Sequence, residues 1–465
     1  MSDGTIEERL SKKREIEGMY RGPVLKILLK IALPIFFGMV FQLLYAIVDI
    51  IWISRIDLSD PSYVGGVGLI FPLLFLAVAI SSGVLIGVGS LVARSLGEKN
   101  HYVLARIAES GFFITFLISA LIITIGYVFD ENLMRLLGAE NEYFVHALDY
   151  FHYIIPVAGL MIMGNVLLGI LLGEGLTSKV MIAMIITTIA NVILDPVFIF
   201  LLGMGVKGAG IATVLSQIIA AVYLLRIFFR RETTVRVEWN MKNVDFSIMR
   251  QIISVGFPQT AGQLTMAISV LLFNRLVVNI DRLALTAFSL CTRLDQVLIL
   301  PIMAIGSSLI TMMGQNYGRG DFIRVKNIWR TGMLVGMGMS AFLAAVLILF
   351  APKIFPFFTD VEGVVRYAVR QMRVVEFSYF FASIAIVGRA SFQAISRPIP
   401  GLIVDAFRLA ILSIPVAYIL VMFIQMGMNG VWIGIISGNI VSAGVGFFWV
   451  RTALTRSIKQ SESST

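Results

Sequence analysis

Two carboxylic acids lie inside long apolar stretches of the sequence, where an ionised side chain is costly. Asp49 follows Gln42 and Tyr45 at i, i+3 and i+7 spacing, so the three side chains share one helix face. A charge at the centre of a membrane helix costs about 2.5–3.5 kcal/mol on insertion scales. An acid in this position indicates a site that binds a proton or a cation. The alternative is a carboxylate that lies at the outer membrane boundary.

The second acid, Asp195, is preceded one turn earlier by the amide of Asn191 and is followed by Pro196. Because proline has no N–H, a helix through this point leaves the carbonyl of Val192 without its usual donor. An acid, an amide and a free carbonyl supply the oxygen ligands that suit a proton or a hard cation such as Na⁺. Met184 extends the same helix face. The alternative is a polar cluster that only joins helices.

Two further polar residues could complete this cluster, Asn165 in the fourth apolar stretch and Thr213 in the sixth. Each is also typical of ordinary hydrogen bonding between membrane helices. Pro34 lies before Asp49 in the same stretch and predicts a bend, which could be static or could move with the acid. No cofactor is predicted, and no metal apart from Na⁺, whose ligands would be Asp49, Asn191, Asp195 and Thr213.

Composition places these residues in a membrane protein. Of 465 residues, 58% are apolar and only 14% are charged, and the mean hydropathy is +0.90. A soluble domain carries about 25% charged residues, because its surface must be wetted. The net charge of +9 is expected in cytosolic loops and does not indicate nucleic-acid binding. The single cysteine, Cys291, excludes an internal disulfide and a cysteine-based metal site.

The length of the apolar stretches predicts the fold class. A membrane crossing needs about 20 apolar residues in a helix, which predicts an all-α polytopic membrane protein with about twelve transmembrane helices. Long strand alternation is absent from the sequence, which argues against a β-barrel. The predicted spans are residues 27–53, 64–95, 104–129, 143–172, 178–202, 208–229, 246–278, 283–317, 325–350, 364–392, 399–424 and 428–449.

Loop charges predict the orientation of these spans. Basic residues are concentrated in the N-terminal segment, in the linker 230–245 and in the tail, so the positive-inside rule places both termini in the cytosol. Arg366, Arg370 and Arg373 are an exception to this rule. The first span is too long for a cleaved signal peptide. We therefore predict a multi-pass protein of the plasma (inner) membrane.

The linker 230–245 divides the predicted spans into two groups of about six, which predicts an internal duplication. Short matches at an offset of roughly 220 support this prediction, for example Ala32-Leu33-Pro34 against Gly256-Phe257-Pro258. Parallel repeats predict two pseudo-symmetric six-helix lobes around a central cavity. The predicted parts are a cytosolic segment 1–26, an N-lobe 27–229, the cytosolic linker 230–245, a C-lobe 246–450 and a cytosolic tail 451–465.

The second half offers different chemistry. Arg293 and Asp295 are two residues apart and do not share a helix face. Asp405 and Arg408 at i, i+3 could pair, which is the usual fate of buried charges, and Glu376 has no evident role. We therefore expect the ion chemistry in the first lobe.

The run 203–208, Gly-Met-Gly-Val-Lys-Gly, matches the G-x-G-x-x-G pattern of dinucleotide sites. Such a site needs a short strand before it in a βαβ unit. Because a membrane span precedes this run, we predict a connecting turn.

The order of these features resembles the multidrug and toxic compound extrusion (MATE) family, and within it the DinF-like branch. The resemblance covers nearly the whole chain and rests on Leu33-Pro34, Tyr45 and Asp49 in the first span and on Asn191…Asp195-Pro196 in the fifth. The NorM-like and eukaryotic branches use a glutamate on the seventh span, where this chain has Met266. The resemblance implies a coupling site of Asp49, Asn165, Asn191, Asp195 and Thr213, with Gln42, Tyr45 and Met184 facing the same cavity.

The function that the resemblance implies is antiport coupled to H⁺ or Na⁺. Such a protein would export organic, often cationic, drugs or metabolites by alternating access, as a monomer among membrane lipids and without a nucleic-acid partner. The alternative is a flippase for a lipid-linked precursor, which would need cationic residues such as Arg293 and Arg408 for pyrophosphate. An intramembrane enzyme is disfavoured, because the sequence lacks the Gly-x-Gly-Asp pattern of aspartyl proteases and the Asp-rich magnesium motifs of prenyltransferases.

Overall fold

A computed structural model describes residues 20–56 and 62–462 of the chain. Within this part the chain is almost entirely helical and contains no β-strand. Twelve of its helices are long and apolar enough to cross a membrane. They are α1 Val24–Ser54, α2 Gly65–Glu98, α3 Ile107–Val128, α4 Asn141–Glu174, α5 Thr177–Leu201, α6 Gly205–Phe229, α7 Phe246–Val278, α8 Arg282–Gly318, α9 Phe322–Phe357, α10 Glu362–Ala394, α11 Ile399–Met422 and α12 Met428–Gln460.

These helices confirm the predicted all-α polytopic fold class. Each predicted span overlaps one of these helices. Most of the helices extend beyond the predicted span at one or both ends; α9, for example, extends beyond the predicted span 325–350 at both ends. The reason is that polar and charged residues close the helix ends, and a hydropathy window leaves them out. The predicted cytosolic N-terminal segment lies mostly outside the described residues, as do the last three residues of the predicted tail.

Contacts between residues divide the chain into two compact units. One unit, here called the N-terminal unit, is Pro34–Thr260. The other, here called the C-terminal unit, is Ala261–Thr465 together with the residues that precede Pro34. The divisions therefore fall inside α1 and α7. The linker and the first half of α7 belong to the N-terminal unit.

Glycines bring α2 and α4 into close contact within the N-terminal unit. A Cβ atom added to Gly173 would lie 2.6 Å from the carbonyl oxygen of Gly89, and one added to Gly169 would lie 2.7 Å from that of Leu85. The two backbones therefore meet without side chains between them. Such contacts are typical of membrane helices, whose association depends on close packing and hydrogen bonds.

Replacing Gly173 by alanine should destabilise the protein by about 1–3 kcal/mol, because a Cβ there meets backbone that has little room to move. Gly164 of the same helix is the matched control, since an added Cβ meets nothing within 4 Å. Gly164→Ala should be neutral or stabilising by up to about 1 kcal/mol through helix propensity. The melting temperatures of both variants in detergent test this prediction, and equal effects would contradict it.

The linker between α6 and α7 is fastened to the N-terminal unit by buried carboxylates. Glu174, at the end of α4, accepts hydrogen bonds from the N–H groups of Thr234 at 2.8 and 2.9 Å and Val235 at 2.7 Å. Glu109, near the start of α3, accepts one from the N–H of Glu238 at 2.7 Å. Backbone donors thus pair with two acids that would otherwise be costly to bury. Glu109 Oε2 has no partner among the described residues. The predicted linker is a docked segment of the N-terminal unit.

Asp245 closes the linker and caps α7. Its carboxylate accepts a 2.6 Å hydrogen bond from the Tyr102 hydroxyl and a 2.7 Å bond from the N–H of Ser247. The Tyr102 hydrogen bond, followed by the one from Ser247, lowers the pKa of Asp245. The contact therefore holds from neutral pH to below the usual titration range of an aspartate and is lost as the pH falls through the lowered pKa.

Glu174→Ala should lower the free energy of unfolding by about 1–3 kcal/mol, because it leaves the buried N–H of Val235 without its acceptor. The N–H of Thr234 belongs to an exposed residue and can bond to water instead. The control is Glu142→Ala, at the other end of α4, where the side chain is exposed. An exposed substitution should change stability by less than about 0.5 kcal/mol. Thermal melting and the rate of proteolysis in the linker measure the difference. A Glu174→Ala variant as stable as the Glu142→Ala control would show that the linker is not held in this way.

Gly203 and Gly205 adopt positive φ angles of 65° and 56° in the connection between α5 and α6. This backbone conformation favours glycine at both positions. The run 203–208 therefore contains the predicted turn, formed by Gly203 and Met204, and the first residues of α6, which begins at Gly205.

Candidate functional site

Both predicted acids are buried in the N-terminal unit. Asp195 on α5 has no exposed surface and Asp49 on α1 is 8% exposed. The two carboxylates lie close enough for their charges to interact. Two neighbouring buried carboxylates are costly unless a proton or a cation balances them.

A hydrogen-bonded network joins Asp195 to residues on α1 and α6. The amide of Asn191 donates to Asp195 Oδ1 at 3.1 Å and to Thr213 Oγ1 of α6 at 3.5 Å. The hydroxyl of Tyr45 on α1 lies 3.5 Å from the same Thr213 oxygen. The structure therefore brings together predicted site residues from α1, α5 and α6.

Three buried oxygen atoms at this site have no hydrogen-bond partner among the described residues: Asp49 Oδ1, Asn191 Oδ1 and Asp195 Oδ2. Among the described residues, no cationic side chain contributes to the electrostatic environment of either acid. Buried unpartnered oxygens are rare in folded proteins and need a physical explanation. A proton or a hard monovalent cation bound among them would satisfy these oxygens.

The geometry of α5 changes immediately after Asp195. The residues Val197–Leu201 form a π-helical segment that follows Pro196. A Cβ atom on Gly208 of α6 would lie 2.6 Å from the carbonyl of Phe198, so α6 packs directly on this segment. Single π-helical turns are frequent at functional sites. Here the π-helical turn follows from the missing proline N–H and begins beside the acid.

Close packing holds α1 against α5 about two to three turns before the acids. Gly38 lies against the sulfur of Met184, where an added Cβ would approach to 2.6 Å. Thr188 donates a hydrogen bond to the carbonyl of Phe41 at 3.1 Å. Met184 thus faces α1 within the N-terminal unit. A movement of residues 38–41 of α1 would disturb the contact between α1 and α5.

For three other predicted residues, the described part of the structure shows no contact with Asp49 or Asp195. Asn165 lies on α4 fifteen residues beyond Tyr150, about 22 Å along the helix, and no hydrogen bond joins it to Asp49 or Asp195 in the described part of the chain. Gln42 is exposed on α1. Pro34 lies inside α1, which is a continuous helix from Val24 to Ser54.

Tyr150 on α4 is a site residue that the sequence reasoning missed. It is buried, and its hydroxyl group lies within electrostatic range of Asp49, Tyr45 and Asp195. A buried tyrosine usually needs a hydrogen-bond partner for its hydroxyl. A tyrosine within an apolar stretch therefore indicates a polar partner nearby, and this signal in the sequence could have identified Tyr150.

In the C-terminal unit, the predicted pairing of Asp405 with Arg408 is wrong. Asp405 accepts a 3.0 Å hydrogen bond from Arg389 of α10. The Nε atom of Arg408 is buried and has no partner among the described residues. Sequence spacing places Arg408 near Asp405, but the π-helical segment Phe407–Ser413 begins between them and alters the helical register.

The C-terminal unit also contains a buried acid cluster that the sequence did not reveal. Asp295 on α8 accepts a 2.6 Å hydrogen bond from the Tyr379 hydroxyl of α10. Asp295 and Glu376 lie close enough to interact electrostatically. Asp295 Oδ1 and Glu376 Oε2 are buried and have no hydrogen-bond partner among the described residues.

The whole chain is similar to solved transporters. It matches an outward-facing multidrug resistance MATE family transporter of the MOP superfamily with a TM-score of 0.89 and 27% sequence identity, over 95% of this chain and 98% of that chain. The fold and its buried polar site define a polytopic membrane transporter, and not an enzyme.

Curated relatives agree with the structural similarity. The FAD transporter of Shewanella oneidensis is 26% identical over 414 residues, which are 87% of this chain and 90% of that protein. The probable multidrug resistance protein NorM of Thermotoga maritima is 23% identical over 417 residues, or 89% of each chain.

The MatE family model matches residues 34–197 and again residues 258–419. Because the two matches cover more than half of the chain, the protein belongs to the MatE family of multidrug and toxic compound extrusion transporters. The repeated match also supports the predicted internal duplication. The finer assignment to the DinF-like branch stays a prediction.

Proposed function

We propose that this transporter is an antiporter that exports organic, often cationic, compounds in exchange for H⁺ or Na⁺. The observation that carries the proposal is the set of three buried, unpartnered oxygens on Asp49, Asn191 and Asp195. The proposed coupling site consists of these residues and Thr213, with Tyr45 and Tyr150 beside them. Asn165, Gln42 and Met184 are proposed to line the path toward the site.

The proposed cycle begins with the site open to the outside. Asp49 and Asp195 take up the coupling cation, which neutralises charge that would hold a cationic substrate and favours a changed bend near Pro34. The substrate leaves, and the site becomes accessible from the cytosol. Alternating access of this kind is the expected behaviour of transporters built from repeats. Both termini are proposed to be cytosolic, as the loop charges predict.

The energy of a single coupled cation is sufficient for useful export. Moving one charge across 100 mV provides about 2.3 kcal/mol. This free energy corresponds to a concentration ratio of roughly fifty for an exported neutral compound, since about 1.4 kcal/mol equals a factor of ten. One carboxylate that takes up one ion per cycle is therefore enough.

The alternative, a flippase for a lipid-linked precursor, is supported by one feature of the structure. The Nε atom of Arg408 is buried without a partner, and a pyrophosphate group would satisfy it. Flipping of such a precursor would depend on Arg408 and would not need Asp49.

Dye efflux from proteoliposomes under separate gradients tests the proposal. A pH gradient or a Na⁺ gradient, applied one at a time, should drive accumulation of a cationic dye, and the gradient that succeeds identifies the coupling ion. FAD should be included as a second substrate, because a similar protein is an FAD transporter. Transport that responds to neither gradient would refute cation coupling.

A further inference from the structure

A cavity of about 360 Å³ lies between α9 and α12 in the C-terminal unit. This volume is within the range of about 300–1,000 Å³ that small-molecule sites occupy. The cavity shares no residue with the proposed coupling site, which lies in the N-terminal unit. Its lining residues are Lys326, Trp329, Arg330, Met333, Leu334, Phe447 and Arg451.

Three of the lining residues are cations without an acidic partner. Lys326 and Arg330 are one turn apart on α9, and Arg451 lies on α12. No ion pair or side-chain hydrogen bond involves any of the three within the residues that the structure describes, and the lining contains no aspartate or glutamate. Converging cations without acids between them repel one another, so an anion would stabilise this arrangement.

The cavity is basic at one end and apolar at the other. Lys326 lies one turn from the start of α9, whereas Leu334 lies about 12 Å further along the helix. Leu334 is 62% exposed, on a helix that spans the membrane, so the apolar end opens toward the surface of the unit. The rings of Trp329 and Phe447, with centroids 5.5 Å apart, form an aromatic wall between the two ends.

We propose that this cavity binds an anionic phospholipid of the cytosolic leaflet. The phosphate lies among Lys326, Arg330 and Arg451, and an acyl chain runs along Met333 and Leu334. Basic pockets between membrane helices at the cytosolic side bind anionic headgroups in this way. A free phosphate compound would satisfy the cations, but it would leave the apolar end and the aromatic wall without a role. The bound lipid bridges α9 and α12.

Native mass spectrometry of the purified full-length protein tests the proposal. The protein is equilibrated in detergent with phosphatidylglycerol or phosphatidylcholine of identical acyl chains, and the fraction of lipid-bound protein is measured. Phosphatidylglycerol should be retained selectively, and millimolar glycerol phosphate should not displace it. Equal retention of both lipids, or displacement by glycerol phosphate, would overturn the proposal.

The triple variant Lys326→Gln, Arg330→Gln and Arg451→Gln should weaken phosphatidylglycerol binding roughly a hundredfold, since each cation near the surface contributes about one kcal/mol. The control variant also removes three positive charges from the C-terminal unit, but at residues that do not line the cavity. It is the triple variant Arg397→Gln, Arg456→Gln and Lys459→Gln, which should retain the lipid. Equal loss in the two triple variants would show only non-specific attraction.

A third variant tests the apolar end while the cations stay in place. Met333→Trp fills the cavity, so it should also lower retention of phosphatidylglycerol, and melting temperatures confirm that the variant is folded. Unchanged retention in Met333→Trp would overturn the placement of the acyl chain.

Discussion

Asp49→Asn should abolish coupled transport while leaving the protein folded. The amide has almost the same size as the carboxylate, but it cannot take up a proton or balance the charge of Na⁺. One-for-one exchange of the coupling cation for a cationic dye moves no net charge, so the ion concentration gradient drives it. A wild-type dye gradient of up to about tenfold per tenfold ion gradient should therefore fall to about one. Steady-state accumulation of a cationic dye in proteoliposomes, driven by the effective ion gradient, measures this loss.

The matched control is Glu376→Gln in the C-terminal unit. Glu376 lies close to Asp295, and glutamine has nearly the same size as glutamate and can donate a hydrogen bond to the Asp295 carboxylate. Transport by Glu376→Gln should stay within about threefold of wild type, because the substitution lies outside the proposed coupling site. A threefold change corresponds to about 0.7 kcal/mol. Loss of transport in Glu376→Gln, with Asp49→Asn still active, would place the coupling ion in the C-terminal unit.

The sequence predicted the membrane helices because hydropathy is a local property. Each apolar stretch of about 20 residues must cross the membrane as a helix, whatever its neighbours are. The same reasoning identified Asp49 and Asp195, since a buried charge in an apolar stretch is conspicuous without any knowledge of packing. Asn191 and Thr213 were predicted through family resemblance and polar spacing, and the structure places both beside Asp195.

Features that depend on long-range packing could not be predicted. Asp295 and Glu376 lie on α8 and α10, with the whole of α9 between them in the chain. No spacing rule relates them, so their proximity is visible only in three dimensions. The pairing of Asp405 with Arg389 was missed because the i, i+3 rule assumes regular helix, and the π-helical segment that contains Arg408 breaks that regularity. Tyr150 was missed because its partners lie on α1 and α5.

The division of the chain inside α1 and α7 has a similar cause. Hydropathy reports how long a helix is, but it does not report which helices it packs against. The first half of α7 packs on α2, where an added Cβ on Gly256 would lie 2.6 Å from the carbonyl of Gly83. The predicted linker was expected to separate two lobes because it is polar. Buried Glu174 and Glu109 instead hold it on the N-terminal unit.

Asp195→Asn should abolish transport as completely as Asp49→Asn, and the double variant should be no worse than either single variant. The two acids interact electrostatically and together leave unpartnered oxygens for a single ion. Residues that act as one unit show strongly non-additive losses. The measurement is ion-driven dye accumulation by the two single variants and the double variant in the same liposome preparation.

Asn191→Ala should produce a smaller effect, which separates positioning of Asp195 from binding of the ion. Removal of the amide leaves Asp195 Oδ1 without its 3.1 Å donor and removes one oxygen ligand. The loss of one hydrogen bond to a charged group is worth about 1.5–3 kcal/mol, so the ion concentration for half-maximal transport should rise by roughly ten- to a hundredfold. The maximal rate at saturating ion should recover, because both acids remain. Partial transport in each single acid variant, with a further loss in the double variant, would mean that the two acids serve independent sites. An Asn191→Ala variant that no ion concentration restores would mean that Asn191 is itself required for transport.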